Sequence, residues 1–108
     1  MNYIKFPRKL KRITDNPLID FYKKCMGQIG LPPNLKGVSV MAFTINPKDY
    51  NYLKNLCTVY VKRKYPNLNR KRITFEIEMS FLDIGPAVST KIAEGRVQID
   101  STKLYEES

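Results

Sequence analysis

Twice in this chain an asparagine precedes a proline and then apolar residues spaced three and four apart, a grammar that dictates two helices. In "TDNPLIDFYKKCMGQIG", Asp15 or Asn16 can accept from the free N–H groups of a first helical turn. Pro17 suits the first helical position, where its missing N–H costs nothing. Leu18, Phe21, Tyr22, Cys25, Met26 and Ile29 then make one apolar face, which Gly30 and "LPP" end. In "NPKDYNYLKNLCTVYVKRKYP", Asn46 and Pro47 repeat the start signal. Tyr50, Leu53, Leu56, Cys57, Tyr60 and Val61 form the buried stripe, and Pro66 prevents continuation. Lys62, Arg63 and Lys64 then meet the negative end of that helix's macrodipole.

The remaining elements read as strands. "KGVSVMAFTI" is apolar on both alternations and is expected at the centre of a sheet. "RITFEIEMSFLD" alternates, with Ile73, Phe75, Ile77, Met79 and Phe81 one way and Thr74, Glu76, Glu78 and Ser80 the other. That predicts an antiparallel strand with one solvated face. "VSTKIAEGRVQID" reads as a hairpin about Glu94–Gly95, with Ile92 opposite Val97 and Thr90 opposite Ile99. "NYIKF" can add an edge strand that Pro7 stops. The expectation is an α+β two-layer sandwich in the order α-β-α-β-β-β. Two helices would cover one face of a mostly antiparallel sheet of about four strands. The domain would span 16–102, behind a basic N-terminal arm (1–15) and before a polar tail (103–108).

Charge is the informative total: +9 over 108 residues, unevenly spread. Residues 1–72 hold sixteen Lys/Arg and three acids, net +13; residues 73–108 hold three Lys/Arg and seven acids, net −4. Such polarity favours encounter with a polyanion. No apolar run approaches the ~20 residues of a membrane span. The charged N-terminus lacks the apolar segment of a signal peptide. Cys25 and Cys57 suit no metal spacing and fall among apolar helix residues. A cytoplasmic chain with reduced, buried thiols is therefore expected.

Catalytic chemistry finds little support. The absence of histidine removes the commonest general base and metal ligand, and no glycine-rich phosphate loop is present. Glu76 and Glu78, sharing a strand face, could hold Mg²⁺ for a nuclease, but a solvated face with Lys91 and Arg96 as partners explains them better. No catalytic residue, cofactor or metal is assigned.

The chemistry that remains is binding. "YVKRKYPNLNRKR" places six Lys or Arg in thirteen positions without an acid. Lys62, Arg63, Lys64, Arg70, Lys71 and Arg72 should lie on one edge, the second triplet opening a strand, and neutralise phosphates. Lys9, Lys11 and Arg12 of the arm would contribute, with Tyr65 as a stacking residue. Tyr60 continues the apolar stripe and is expected in the core, whereas Tyr52, off the stripe, should be partly exposed. The reading is a small non-enzymatic nucleic-acid-binding protein making backbone contacts to DNA or RNA with little sequence specificity. The alternative is a protein-interaction module, a small inhibitor or phage-type accessory subunit, docking its basic side on an acidic partner.

Overall fold

The computed structural model describes residues 2–10, 16–31 and 39–104. Lys11, Arg12, Asp15 and the end of the tail lie outside them, as does part of the stretch read as a central strand. Among the described residues the fold is α+β, with three helices on a four-stranded mixed sheet. In chain order come β1 (Asn2–Lys5), α1 (Pro17–Gln28), β2 (Phe43–Ile45), α2 (Pro47–Lys64), α3 (Arg70–Ile84), β3 (Ala87–Val88) and β4 (Arg96–Ile99). The strand order is β1-β4-β2-β3, with β4 antiparallel to both neighbours and β2 parallel to β3.

The two asparagine–proline starts work as expected. The Asn16 side chain accepts from the Leu18 N–H at 2.9 Å and that of Asn46 from the Lys48 N–H at 2.8 Å. Gly30, at φ +77°, closes α1, while the Leu31 N–H reaches back to the Met26 carbonyl. β2 lies between β4 and β3 and is central, although it is only three residues long. β1 is the expected edge strand, and Phe6 beyond it is buried in the core, so the arm is anchored at its start.

Cross-strand pairing sets the layers. Ile4, Val97 and Ile45 align on one face, as do Ile99 and Phe43, and the helices cover that side. Phe6 packs on Phe21, and Tyr22 on both Phe21 and Phe43, with ring centroids 5.2–5.4 Å apart. Tyr3, Lys5, Gln98 and Arg96 occupy the other face. Cys25 and Cys57 are free and buried, as expected.

Two strand expectations fail. Residues 70–84 form helix α3, not a strand. Asn69 is a third helix cap, its side chain accepting from the Arg72 N–H at 2.8 Å, and no glycine or proline interrupts the fifteen residues that follow. Five residues after α2 ends, the chain folds back along it, so Ile73, Ile77 and Phe81, four apart, bury one helical face. Phe75 and Met79, which a strand would have buried with them, are left 53% and 49% exposed.

The hairpin about Glu94–Gly95 is also absent. Val97 and Ile99 pair with β1 and β2 instead of Ile92 and Thr90. β1 offers β4 a four-residue partner. The loop before β4 is meanwhile held by α2, with the Asn46 amide donating to the Ile92 carbonyl at 2.9 Å. The three-strand meander is thus replaced by a parallel β2–β3 contact and a β4 inserted between β1 and β2.

Candidate nucleic-acid interface

α2 and α3 form an antiparallel helical hairpin. The Tyr50 and Phe81 rings lie 5.2 Å apart, and Lys54 Nζ meets Glu78 Oε1 at 2.5 Å, so positions advance along α2 as they retreat along α3. The connection, Tyr65 to Asn69, is a compact turn: the Tyr65 N–H donates to the Val61 carbonyl at 2.8 Å and the Leu68 N–H to the Tyr65 carbonyl at 3.2 Å. Both basic triplets consequently sit at the same end of the hairpin. Arg70, Lys71 and Arg72 open a helix there rather than a strand.

The two triplets have opposite local energetics. Lys62–Lys64 stand in the last turn of α2, where cations are favoured. Arg70–Arg72 stand in the first turn of α3, whose partial positive charge disfavours each of them by roughly 0.3–1 kcal/mol. That first turn also leaves the Arg70 and Lys71 N–H groups without intrahelical acceptors. All six side chains are exposed. Arg72 bonds Glu76 at 3.0 Å, and among the described residues it alone of the six has a carboxylate partner. The end of the hairpin is a concentration of cations that intramolecular pairing leaves largely uncompensated.

Lys64 and Arg72 also line a groove of about 450 Å³ whose floor includes Leu18, Cys57, Val61 and Ile77. Lys64 Nζ lies 5.6 Å from the ring centroids of both Tyr60 and Tyr65. The Tyr60 hydroxyl, 3.3 Å from that ammonium, holds the Lys64 pKa above the ordinary lysine value, with the Tyr65 hydroxyl reinforcing the effect. Lys64 therefore stays charged across the physiological range. Tyr60 is half-buried in the groove wall, short of the full burial expected of it. Tyr65 is 50% exposed and presents its ring at the turn.

Lys9 is elsewhere. Its neighbour Arg8 donates to Asp49 Oδ1 at 3.0 Å, in the first turn of α2. Lys62–Lys64 end the same helix fifteen positions on, roughly 20 Å away at 1.5 Å per residue. Lys9 belongs with Lys5, Arg8 and Lys24, which line a separate depression. That second group is invisible in the sequence because a contact spanning 41 positions, Arg8 to Asp49, assembles it. It is also more neutralised: Arg8 pairs with buried Asp49, and Lys24 with Asp20 at 3.1 Å. Tyr52 is likewise committed, its hydroxyl donating to the Arg8 carbonyl at 3.0 Å.

The carboxylates do not make a metal site. On a helix, residues two apart point to nearly opposite sides, so Glu76 and Glu78 diverge, one to Arg72 and the other to Lys54. Among the described residues no group of three or more His, Cys, Asp or Glu could hold a metal ion. No described helix is long and apolar enough to cross a membrane. Comparison of the chain with protein-family models, curated proteins and solved structures finds no match to any of them.

Proposed function

We propose that this chain is a small non-enzymatic nucleic-acid-binding protein that grips phosphates with the turn end of the α2–α3 hairpin. One observation carries the reading: Arg70–Arg72 occupy a helix N-terminus, where folding disfavours them, and Arg72 is the one residue of that triplet with an acid partner among the described residues. A polyanion supplies the missing compensation. Lys62, Arg63 and Lys64 extend the same cationic end, and Tyr65 offers an exposed ring for a base to stack on. Lys9 contributes only to a ligand long enough to reach the far end of α2. Contacts of this kind address the backbone, so DNA and RNA of unrelated sequence should bind alike.

The test is a titration of a fluorescent random-sequence oligonucleotide with the wild-type protein and with a variant carrying Glu at all six triplet positions. Binding by the first and none by the second supports the reading. An acidic protein that binds the same end with fixed stoichiometry, while oligonucleotides do not bind at all, points to the protein-docking alternative.

A further inference from the structure

The groove between α2 and α3 carries chemistry that phosphate contacts do not use. Its floor, from Leu18, Cys57, Val61 and Ile77, is apolar, and its volume of about 450 Å³ falls among those of small-ligand sites, roughly 300–1,000 Å³. Arg72, Glu76 and Ser80, four apart, line the α3 side, and Tyr60 and Lys64, four apart, line the α2 side. Asn16, before the first turn of α1, adds an amide whose oxygen is committed to capping that helix. Lys64 and Arg72 stand at the turn end of the groove, and Glu76 and Ser80 continue one wall away from the turn.

This arrangement selects its occupant. Arg72 gives one guanidinium nitrogen to Glu76 at 3.0 Å and keeps further donors for an anion. A matching ligand has an anionic group and, next to it, a flat body with apolar faces and hydrogen-bonding edges. A nucleotide has that form. Its phosphate suits Lys64 and Arg72, its base faces suit the apolar floor, and its edge N–H and carbonyl groups suit Glu76, Ser80 and Asn16. Tyr65, half exposed, lines the same groove and offers a ring for stacking. A fatty acyl anion matches the cations and the floor but offers Glu76, Ser80 and Asn16 nothing to bond. A base inside a duplex is shut out, because its edge is paired and its faces are stacked. Entering the groove means leaving the stack, which costs least in a single strand.

We infer that the α2–α3 groove receives one unstacked base of a bound strand while Lys64 and Arg72 hold its phosphate, so that this hairpin end prefers single-stranded nucleic acid to duplex. The inference rests on the phosphate-binding reading above and names the substrate class of the same site. Phosphate contacts alone favour the opposite order, since a duplex carries the higher charge density.

Fluorescence anisotropy at low salt with three labelled ligands tests it: a random-sequence single strand, an abasic strand with the same number of phosphates, and a closed duplex without frayed ends. The single strand should bind about 10-fold tighter than either of the others, the gain expected from holding one base. Ser80→Trp fills the groove from an exposed position and leaves both basic triplets in place. It should remove most of the preference for the normal strand and leave the affinity for the abasic strand unchanged. Helical circular dichroism checks its fold, and Ser80→Phe replaces it if that fold is lost. Equal affinity for the normal and abasic strands overturns the inference while phosphate binding stands. A Ser80→Trp variant that keeps the full preference also overturns it, assigning the base to the outer face of Tyr65 alone. No binding of any ligand removes the phosphate grip itself, and the inference with it.

Discussion

Lys64 and Arg72 stand on two walls of one groove, although a turn containing Pro66 separates them in the chain. The groove exists because α3 reverses along α2, and the same reversal collects both basic triplets at one end. Cations at the end of one helix and the start of the next are stabilising in the first place and destabilising in the second. That asymmetry has measurable consequences.

Charge reversal should change stability with opposite sign in the two triplets. Arg70→Glu places an acid at the N-terminus of α3 and should stabilise the fold by about 0.3–1 kcal/mol, whereas Lys62→Glu at the C-terminus of α2 should destabilise it by a similar amount. Urea unfolding at low salt measures both, and the difference should shrink as salt is added. If both substitutions destabilise, local macrodipole electrostatics do not govern this end.

Asp49 ties the N-terminal segment to the body. Its buried carboxylate accepts from Arg8 at 3.0 Å and from the Gly95 N–H at 2.8 Å, linking the segment after β1, α2 and the loop before β4. Asp49→Ala leaves the Gly95 N–H without its acceptor and removes one acid partner of Arg8, which keeps solvent and Glu94, and should cost about 1–3 kcal/mol in urea unfolding. Arg8→Ala leaves the Gly95 bond intact but strips the buried Asp49 carboxylate of its cation, so it should cost a comparable amount.

The thiols give an alkaline signature. Burial pushes the Cys57 pKa up from 9.0 to about 12, against a smaller opposing effect of a hydrogen bond with the Leu18 backbone. Burial raises Cys25 and Tyr22 in the same direction. A raised folded-state pKa means full stability below the unfolded value and progressive loss above it, as the unfolded chain sheds its proton first. Between pH 9.0 and about 12 Cys57 alone should therefore remove about 1.4 kcal/mol per pH unit. Denaturation midpoints across that range check the slope, and Cys57→Ala should lower it by its own share, leaving the part that Cys25 and Tyr22 contribute. Both thiols should resist alkylation in the native protein and react on unfolding.

Much of this architecture is legible in the chain because it is encoded locally. Asn16–Pro17 and Asn46–Pro47 announce α1 and α2, and the 50-53-57 spacing picks out the buried side of α2 correctly. α3 is misread because its apolar residues fall at 73, 75, 77, 79 and 81, a period of two that also contains a helical subset four apart. Asn69 was the available signal, a cap asparagine without the proline that accompanies the other two. The false hairpin has a different origin: β4 chooses between a nearby partner and β1, some ninety residues away, and local sequence is silent on that competition. The triplets' juxtaposition survives the misreading, since a short turn brings them together whether a strand or a helix follows. The separation of Lys9 does not follow from any local pattern; it depends on where Arg8 finds Asp49.

The central claim is that the turn end of the hairpin neutralises phosphates, and its most direct test is the salt dependence of oligonucleotide affinity. Fluorescence anisotropy on labelled single- and double-stranded oligonucleotides, from about 50 to about 200 mM KCl, should give log Kd against log salt with a magnitude near 5 if about six phosphates are contacted. Reversing both triplets to Glu should remove binding at every salt concentration. No binding at about 50 mM KCl, or binding that is insensitive to salt and to the reversal, would contradict the account.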